Sequence, residues 1–303
     1  MDIIATIWDF DKTLISGYMQ EPIFKFYNID PKEFWKESNN KIKELEGQGL
    51  IVNADTFYLN QMLRYVKDGK MAGLNNQKLK EFGKDQHFFD GIIDLFKDIS
   101  SLSKTCCDYD SNGIIFENYI ISSGLRKVIE GSALMPYVKD VWGCEFAETL
   151  NPKTGEMEIS DIAYSIDNTT KTRALFEINK GVNVKELNID VNSAIPQEKR
   201  RIQFRNMIYI ADGPSDIPAF SVLNQRGGYT FAVYPKGDQK ALNQVDKMRS
   251  ECRVQMYAEA DYTNGSTAQL WIMNTLRKQA QKIIEGHKLS YQQYGKGTPE
   301  HLT

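Results

Sequence analysis

Two carboxylates one residue apart, Asp9 and Asp11, follow directly on the apolar run Ile3-Ile4-Ala5-Thr6-Ile7-Trp8, and Lys12, Thr13 and Leu14 complete the segment. Such a run suits a buried parallel strand, and ligands of open α/β sheets bind beyond the carboxyl ends of such strands. The spacing therefore predicts that Asp9 and Asp11 project from a sheet edge into a cleft. Two like charges ~4 Å apart repel by about 4 kcal/mol at an effective dielectric of about 20. Both stay ionised only beside a compensating cation or proton, and Mg²⁺, a hard cation that takes carboxylate oxygens, is the cation such a pair calls for.

Three further segments carry polar residues that could converge on that cleft. Tyr119-Ile120-Ile121 reads as a strand that ends in Ser122-Ser123-Gly124, and Met207-Ile208-Tyr209-Ile210-Ala211 as one that runs into Asp212-Gly213-Pro214-Ser215-Asp216. Lys171 stands in the first turn of a helix expected over 170–179. Each has an ordinary alternative. Ser122 alone could cap a helix and Ser123 could take its place; Lys171 alone reads as a surface residue, with Lys180 or Lys153 as competitors; Asp212-Gly213 alone could be a strand-to-turn junction. Taken in isolation, Asp-x-Asp is most often a solvated turn. The joint pattern, with apolar strands terminating in polar residues, is what points to a site.

These segments need a sheet to hold them, and alternating strand and helix patterns supply one: a mostly parallel, Rossmann-like α/β sheet with helices on both faces. Expected helices span 90–100, 125–130, 239–249 and 266–285, and further strands 141–147 and 229–234, with a turn at 151–156. Residues 17–87 read as helices only, including 31–46 with Asp30 as N-cap and Pro31 at its first position. The expected organisation is a discontinuous core (1–16 and 88–286), a small α-helical cap (17–87) beside Asp9 and Asp11, where a lid would exclude water, and a polar tail (287–303).

Composition narrows the class of partner. The 303 residues are 41% hydrophobic and 25% charged with a net charge of -3, which argues against nonspecific nucleic-acid binding. No apolar stretch approaches the roughly 18 to 20 residues of a membrane span, and no secretory signal pattern precedes the first strand, so a cytoplasmic protein without membrane partner is expected. Cys106, Cys107, Cys144 and Cys252 have no metal-type spacing and fit packing roles in a reducing compartment. With only His87, His287 and His301, a histidine triad or zinc site is not expected. Segment 103–118, with Asp108 and Asp110, reads as a long loop.

The set Asp9-Phe10-Asp11-Lys12-Thr13, Ile120-Ile121-Ser122, Lys171 and Asp212-Gly213-Pro214-Ser215-Asp216 resembles, in order, the four motifs of the haloacid dehalogenase (HAD) superfamily. The resemblance covers the core and implies a HAD-like fold. It also implies a Mg²⁺-dependent phosphatase of small phosphorylated metabolites, in which Asp9 is the nucleophile and Asp11 the general acid and base. Thr13, Ser122, Ser123, Gly124 and Lys171 would bind the phosphoryl group. Asp9, the backbone carbonyl of Asp11, Asp212 and Asp216 would surround the metal, Asp216 directly or through an outer partner, with Gly213 letting the chain turn. Asp11 favours phosphoryl over halide chemistry, since a halide leaves without a proton. A cap between the first two motifs is similar to that of phosphoserine phosphatases, whose amino-acid-binding Glu and Arg would correspond to Glu21 and Arg64. Cap aromatics Phe34, Trp35, Phe57, Tyr58 and Tyr65 could hold an organic leaving group or, as such stripes more often do, form a core. A phosphotransferase and a non-catalytic phosphate-binding regulatory protein are the alternatives. The motifs leave the oligomeric state open.

Overall fold

The structure, a computed structural model, describes residues 2–294, with side chains through residue 290. Its sheet has seven strands, β1 (Asp2–Trp8), β2 (Ile114–Leu125), β3 (Val138–Leu150), β4 (Met157–Tyr164), β5 (Met207–Ala211), β6 (Tyr229–Tyr234) and β7 (Met256–Glu259). They are ordered β4-β3-β2-β1-β5-β6-β7, and every neighbouring pair is parallel except the β3–β4 hairpin. The chain builds outward from β1 to β3, then crosses back to lay β5 on the other side of β1. That reversal makes the carboxyl ends of β1 and β5 the place where an open α/β sheet leaves a crevice. All five residues of β5, and Ile3 to Trp8 of β1, are buried, as central strands covered on both faces require.

The helices are α1 (Glu21–Phe26), α2 (Pro31–Gly47), α3 (Phe57–Lys67), α4 (Asn76–Phe82), α5 (Ile92–Thr105), α6 (Cys107–Ser111), α7 (Arg126–Glu130), α8 (Thr170–Lys180), α9 (Ile217–Gln225), α10 (Gln239–Ser250) and α11 (Thr267–Tyr294). Side chains alternate between faces along each strand. Trp8 meets Phe96 of α5, with ring centroids 5.0 Å apart, on one face; on the other Tyr209 meets Phe220 of α9 at 5.4 Å. Helices thus cover both sides of the sheet, as expected of an α/β fold.

Helices α1 to α4 make up the segment expected as the cap, and Asp30 caps α2 by accepting the Lys32 N–H at 2.9 Å. Phe34 and Tyr65 join its interior at 5.3 Å in an edge-to-face pair. The cap also leans on the β3–β4 hairpin: Ile159 N–H donates to the Leu74 carbonyl (2.9 Å) and the Asn76 side chain to the Phe146 carbonyl (3.0 Å).

Several boundaries differ from the sequence expectation. Strand β3 is longer than 141–147, and β4 and β7 were not anticipated; β4 alternates polar and apolar residues at the sheet edge and β7 has only four residues. Segment 103–118 is the end of α5, the short α6 and the start of β2, so Asp108 and Asp110 are helical. The polar tail expected from 287 begins as the last turns of α11, and 295–303 lie outside the described residues. No helix among the described residues is long and apolar enough to cross a membrane.

Candidate active site

Asp9 is the first residue beyond β1, and its N–H donates to the carbonyl of Ile210 in β5 (2.9 Å), which fixes it at the reversal point. The chain then folds back tightly. Leu14 N–H reaches the Phe10 carbonyl at 2.8 Å, and Lys12 takes the left-handed conformation (φ 57°), uncommon outside glycine and a mark of a turn under constraint. Asp11 accepts the Met19 N–H at 2.9 Å, so the segment entering the cap is pinned to the second carboxylate.

Lys171 crosses from α8 to this turn. Its ammonium donates to Asp9 Oδ1 at 2.8 Å and to Asp216 Oδ1 at 2.7 Å, with the lysine and Asp216 fully buried and Asp9 nearly so. Asp216 also accepts the Tyr209 hydroxyl on Oδ1 (2.7 Å) and the Ser215 hydroxyl on Oδ2 (2.8 Å). Asp167 holds the entry to α8 by accepting the N–H groups of Thr169 (3.0 Å) and Thr170 (2.7 Å), which places Lys171 in the first turn. The competing lysines are elsewhere: Lys180 donates to the carbonyls of Val191 and Ser193, and Lys153 lies exposed in the hairpin tip.

Asp212 completes an acidic group in which ligand oxygens of Asp9, Asp212 and Asp216 lie within 4.8 Å of one another. Burial, and then the neighbouring Asp9 and Asp216, push Asp212 well above the usual carboxylate range. Asp9 is raised to about 6, chiefly by burial, against the opposing pull of Lys171. Asp11 is raised to about 8 by burial and by Asp9. Burial alone would lower Lys171, but Asp216 and Asp9 more than offset it and keep the lysine charged. One ammonium thus faces three close carboxylates, an imbalance that a divalent cation would relieve. The donors are hard oxygens, as Mg²⁺ prefers. Asp216 already accepts three hydrogen bonds, which suits it to holding Lys171, so Asp9 and Asp212 are the freer carboxylates.

Ser122 is buried and its Oγ accepts the Gly124 N–H at 3.0 Å, leaving its own proton to donate. The Ser123 carbonyl takes two donors, the Tyr58 hydroxyl from the cap (2.9 Å) and the Cys144 thiol (3.2 Å). A second polar tie joins the cap to the loop before Lys171, Asn53 Nδ2 to Asp167 Oδ2 at 2.8 Å. Beside these loops lies a cavity of about 430 Å³ lined by Tyr18, Trp35, Asp55, Ser123, Asn168 and Ser215.

The structure brings Asp9, Lys171, Asp212 and Asp216 together and sets Asp11 and the Ser122-Ser123-Gly124 loop at the same end of the sheet. The expectation for Gly213 is corrected, and Thr13, Glu21 and Arg64 have the following surroundings. The Thr13 hydroxyl is buried without a partner among the described residues, and the Thr13 carbonyl accepts the Tyr262 hydroxyl at 2.6 Å. Gly213 has φ -158° and ψ -170°, extended backbone that needs no glycine. Glu21 is exposed and accepts the Tyr18 N–H (3.1 Å) at the start of α1, a helix-end role. Arg64 lies over the Phe57 ring at 5.2 Å, in a groove shared with Leu150 and Ser160 of the hairpin. The cap aromatics are core, except that half-buried Trp35 reaches the cleft. Sequence reasoning passed over Tyr209, Asn53 and Asp167; only Asp167, an Asp just ahead of a helix start, carried a readable signal.

No protein-family profile matches the chain. A protein of Borreliella burgdorferi, described as uncharacterized, is 38% identical over 289 residues, which span 91% of this chain and 97% of that one. The chain belongs to the family of that protein. Among solved structures, a HAD family hydrolase from Salmonella enterica serovar Typhi aligns with 84% of this chain and 66% of its own, at TM-score 0.49 and 14% identity. A phosphoserine phosphohydrolase-like protein from Francisella tularensis aligns with 90% and 99%, at TM-score 0.45 and 20% identity. Likenesses of this grade say nothing about chemistry, which rests on the residues themselves.

Proposed function

We propose that the protein is a Mg²⁺-dependent phosphomonoester hydrolase that works through an aspartyl-phosphate on Asp9. The observation that carries this reading is the meeting of Lys171 with Asp9 and Asp216, residues from three separate segments, in a buried cluster at the reversal point of the sheet. Asp9 and Asp212, with the backbone carbonyl of Asp11, would hold the cation, and Asp216 would fix Lys171. When bound, Mg²⁺ offsets the negative charge of the phosphoryl group and of the carboxylates around it.

The two carboxylates of the first motif differ in a way that divides the labour. Asp9, raised only to about 6, is ionised at neutral pH and can attack phosphorus; Asp11, raised to about 8, keeps its proton. As the Asp9 oxygen bonds to phosphorus, the bond to the leaving oxygen breaks and Asp11 supplies that oxygen's proton. Asp11, now a base, takes a proton from water, whose oxygen attacks phosphorus and releases phosphate from Asp9. Lys171 and the Ser122 hydroxyl would steady the charge on the phosphoryl oxygens. The substrate would be a small phosphorylated metabolite. Glu21 and Arg64 are engaged by Tyr18 and Phe57, so nothing favours an amino-acid ester in particular.

Hydrolysis of p-nitrophenyl phosphate with Mg²⁺ and no added acceptor tests the reading. Phosphate release abolished by Asp9→Asn and by EDTA supports it; turnover that survives Asp9→Asn contradicts it, and release only with an acceptor alcohol makes the protein a phosphotransferase.

A further inference from the structure

A polar cavity of about 460 Å³ lies at the other end of the sheet, between the start of β1, the turn into β5, the start of β6 and one face of α11. Asp2, Arg205, Asn206 and Tyr229 line it from the sheet side, and Gln279, Lys282 and His287 from the helix. The helical residues stand at i, i+3 and i+8, which is one stripe of an α-helix. The length of β1, seven residues or ~23 Å, separates the cavity from Asp9.

Exposed lysine and arginine alone mark no site. What marks this one is Gln279, which is 2% exposed and whose Oε1 and Nε2 both lack a hydrogen-bond partner among the described residues. Buried amides are nearly always bonded, so one with neither end engaged, in a cavity wall, calls for a group that enters the cavity. Asn206, 7% exposed, sets a second amide in the same wall, and no described residue bonds to its side chain. The lining charges leave a cationic excess. Asp2 is taken by His287 Nε2 at 2.9 Å, whereas Arg205 and Lys282 form no ion pair among the described residues, and Lys282 donates to the Tyr229 hydroxyl at 3.2 Å. Glu285 of α11 stands outside the cavity and accepts from Gln281 at 3.1 Å. An anion is thus favoured, and to meet two amides its body must offer donors as well as acceptors. Hydroxyls do both.

We propose that this cavity binds a small hydroxylated anion, with the chemistry of a sugar acid or a sugar phosphate. Its anionic group would pair with Arg205 and Lys282, and its hydroxyls would bond to the amides of Gln279 and Asn206. Cavities of this size hold small metabolites. None of these residues takes part in the cluster around Asp9, so the proposal stands whether or not the protein is a phosphatase.

His287 stands in the cavity wall and gives a local signal, since the chain has only three histidines. The full chain with ¹⁵N-labelled histidine, its ring resonances assigned by single His→Gln variants, would be titrated without added Mg²⁺ with D-glucuronate, glucose 6-phosphate, glucose and inorganic phosphate in turn. The expected result is a saturable shift of the His287 ring, with His87 unmoved, by one or both sugar anions, the tighter of the two naming the anionic group. Their binding should be about tenfold tighter than that of glucose or inorganic phosphate, and should weaken about tenfold in Gln279→Met and in Arg205→Gln/Lys282→Gln. Both changes of the pair are at exposed positions, so it reads the site even where Gln279→Met fails to fold. No shift with either sugar anion would mean that the amides meet solvent only, and equal affinity for inorganic phosphate would mean an adventitious ion only; each overturns the proposal, as does an affinity unchanged in the Arg205→Gln/Lys282→Gln protein.

Discussion

The sheet end and the cap meet at one cleft but are held in different ways. At the sheet end, Asp9 and Asp212 are placed by buried central strands, and Lys171 by a capped helix start, before any side chain interacts; the ion pairs then lock a geometry that the backbone has already set. The α1–α4 segment has aromatic pairs of its own within a hydrophobic cluster it shares with the sheet, and meets the loops at the strand ends through single hydrogen bonds, Tyr58 to Ser123 and Asn53 to Asp167 among them. On the proposed phosphatase reading, the sheet end would carry the chemistry and the α1–α4 segment would cover it. Changes at the sheet end should therefore abolish turnover, whereas changes in the cap should tune it.

The largest effect short of removing the nucleophile is expected from Asp11→Asn. With an alkyl phosphate, whose leaving oxygen needs a proton, kcat should fall by about 10²- to 10⁴-fold. In the wild type the pH profile should be a bell. Asp9 must be ionised, so activity is lost as pH falls through about 6; Asp11 must be protonated, so activity is lost as pH rises through about 8. The alkaline limb should disappear in Asp11→Asn, and a profile unchanged by that substitution would break the assignment of roles.

Tyr58→Phe removes one cap-to-core hydrogen bond and keeps the packing. The loss of such a bond is worth about 1 kcal/mol, so kcat should drop by about fivefold, with the thermal midpoint moved by only a few degrees. Loss on the scale of Asp11→Asn would show that the cap shares in the chemistry and erase the contrast between the halves. The smallest effects are expected from Glu21→Gln and Arg64→Ala. Glu21 holds the Tyr18 N–H at the start of α1 and Arg64 lies over Phe57, so kcat/KM for any phosphomonoester, phosphoserine included, should stay within about twofold of wild type. A large, phosphoserine-selective loss in Arg64→Ala would restore the amino-acid reading of the cap.

The same contrast explains what the sequence made legible. Strands β1, β5 and β6 are apolar runs that end in turn residues, so the positions of Asp9 and Asp212 follow from one-dimensional pattern alone. Lys171 is distinguished from Lys180 and Lys153 only by its place in a first helical turn, and the structure gives the other two lysines separate surroundings. The pairing of Tyr209 with Asp216, and of Tyr58 with Ser123, joins residues whose proximity depends on the folded chain, so spacing gave no sign of it. In the cap the helices were readable from N-caps and periodicity, but which way Arg64 points is set by how α3 packs on the β3–β4 hairpin, and β4 itself is an edge strand with a half-polar pattern. Position relative to a motif suggested Glu21 and Arg64, and only the folded chain shows Glu21 holding the Tyr18 N–H and Arg64 lying over Phe57.

The central claim is that Asp9 becomes phosphorylated, and the most direct test is to trap that state. Wild-type protein mixed with Mg²⁺ and a ³²P-labelled phosphomonoester, then stopped in acid within the first turnover, should carry label on the peptide containing Asp9. The label should be lost on treatment with hydroxylamine, as an acyl phosphate requires, and absent from Asp9→Asn. Phosphate released at the wild-type rate with no label on that peptide, or label retained in Asp9→Asn, would contradict the account.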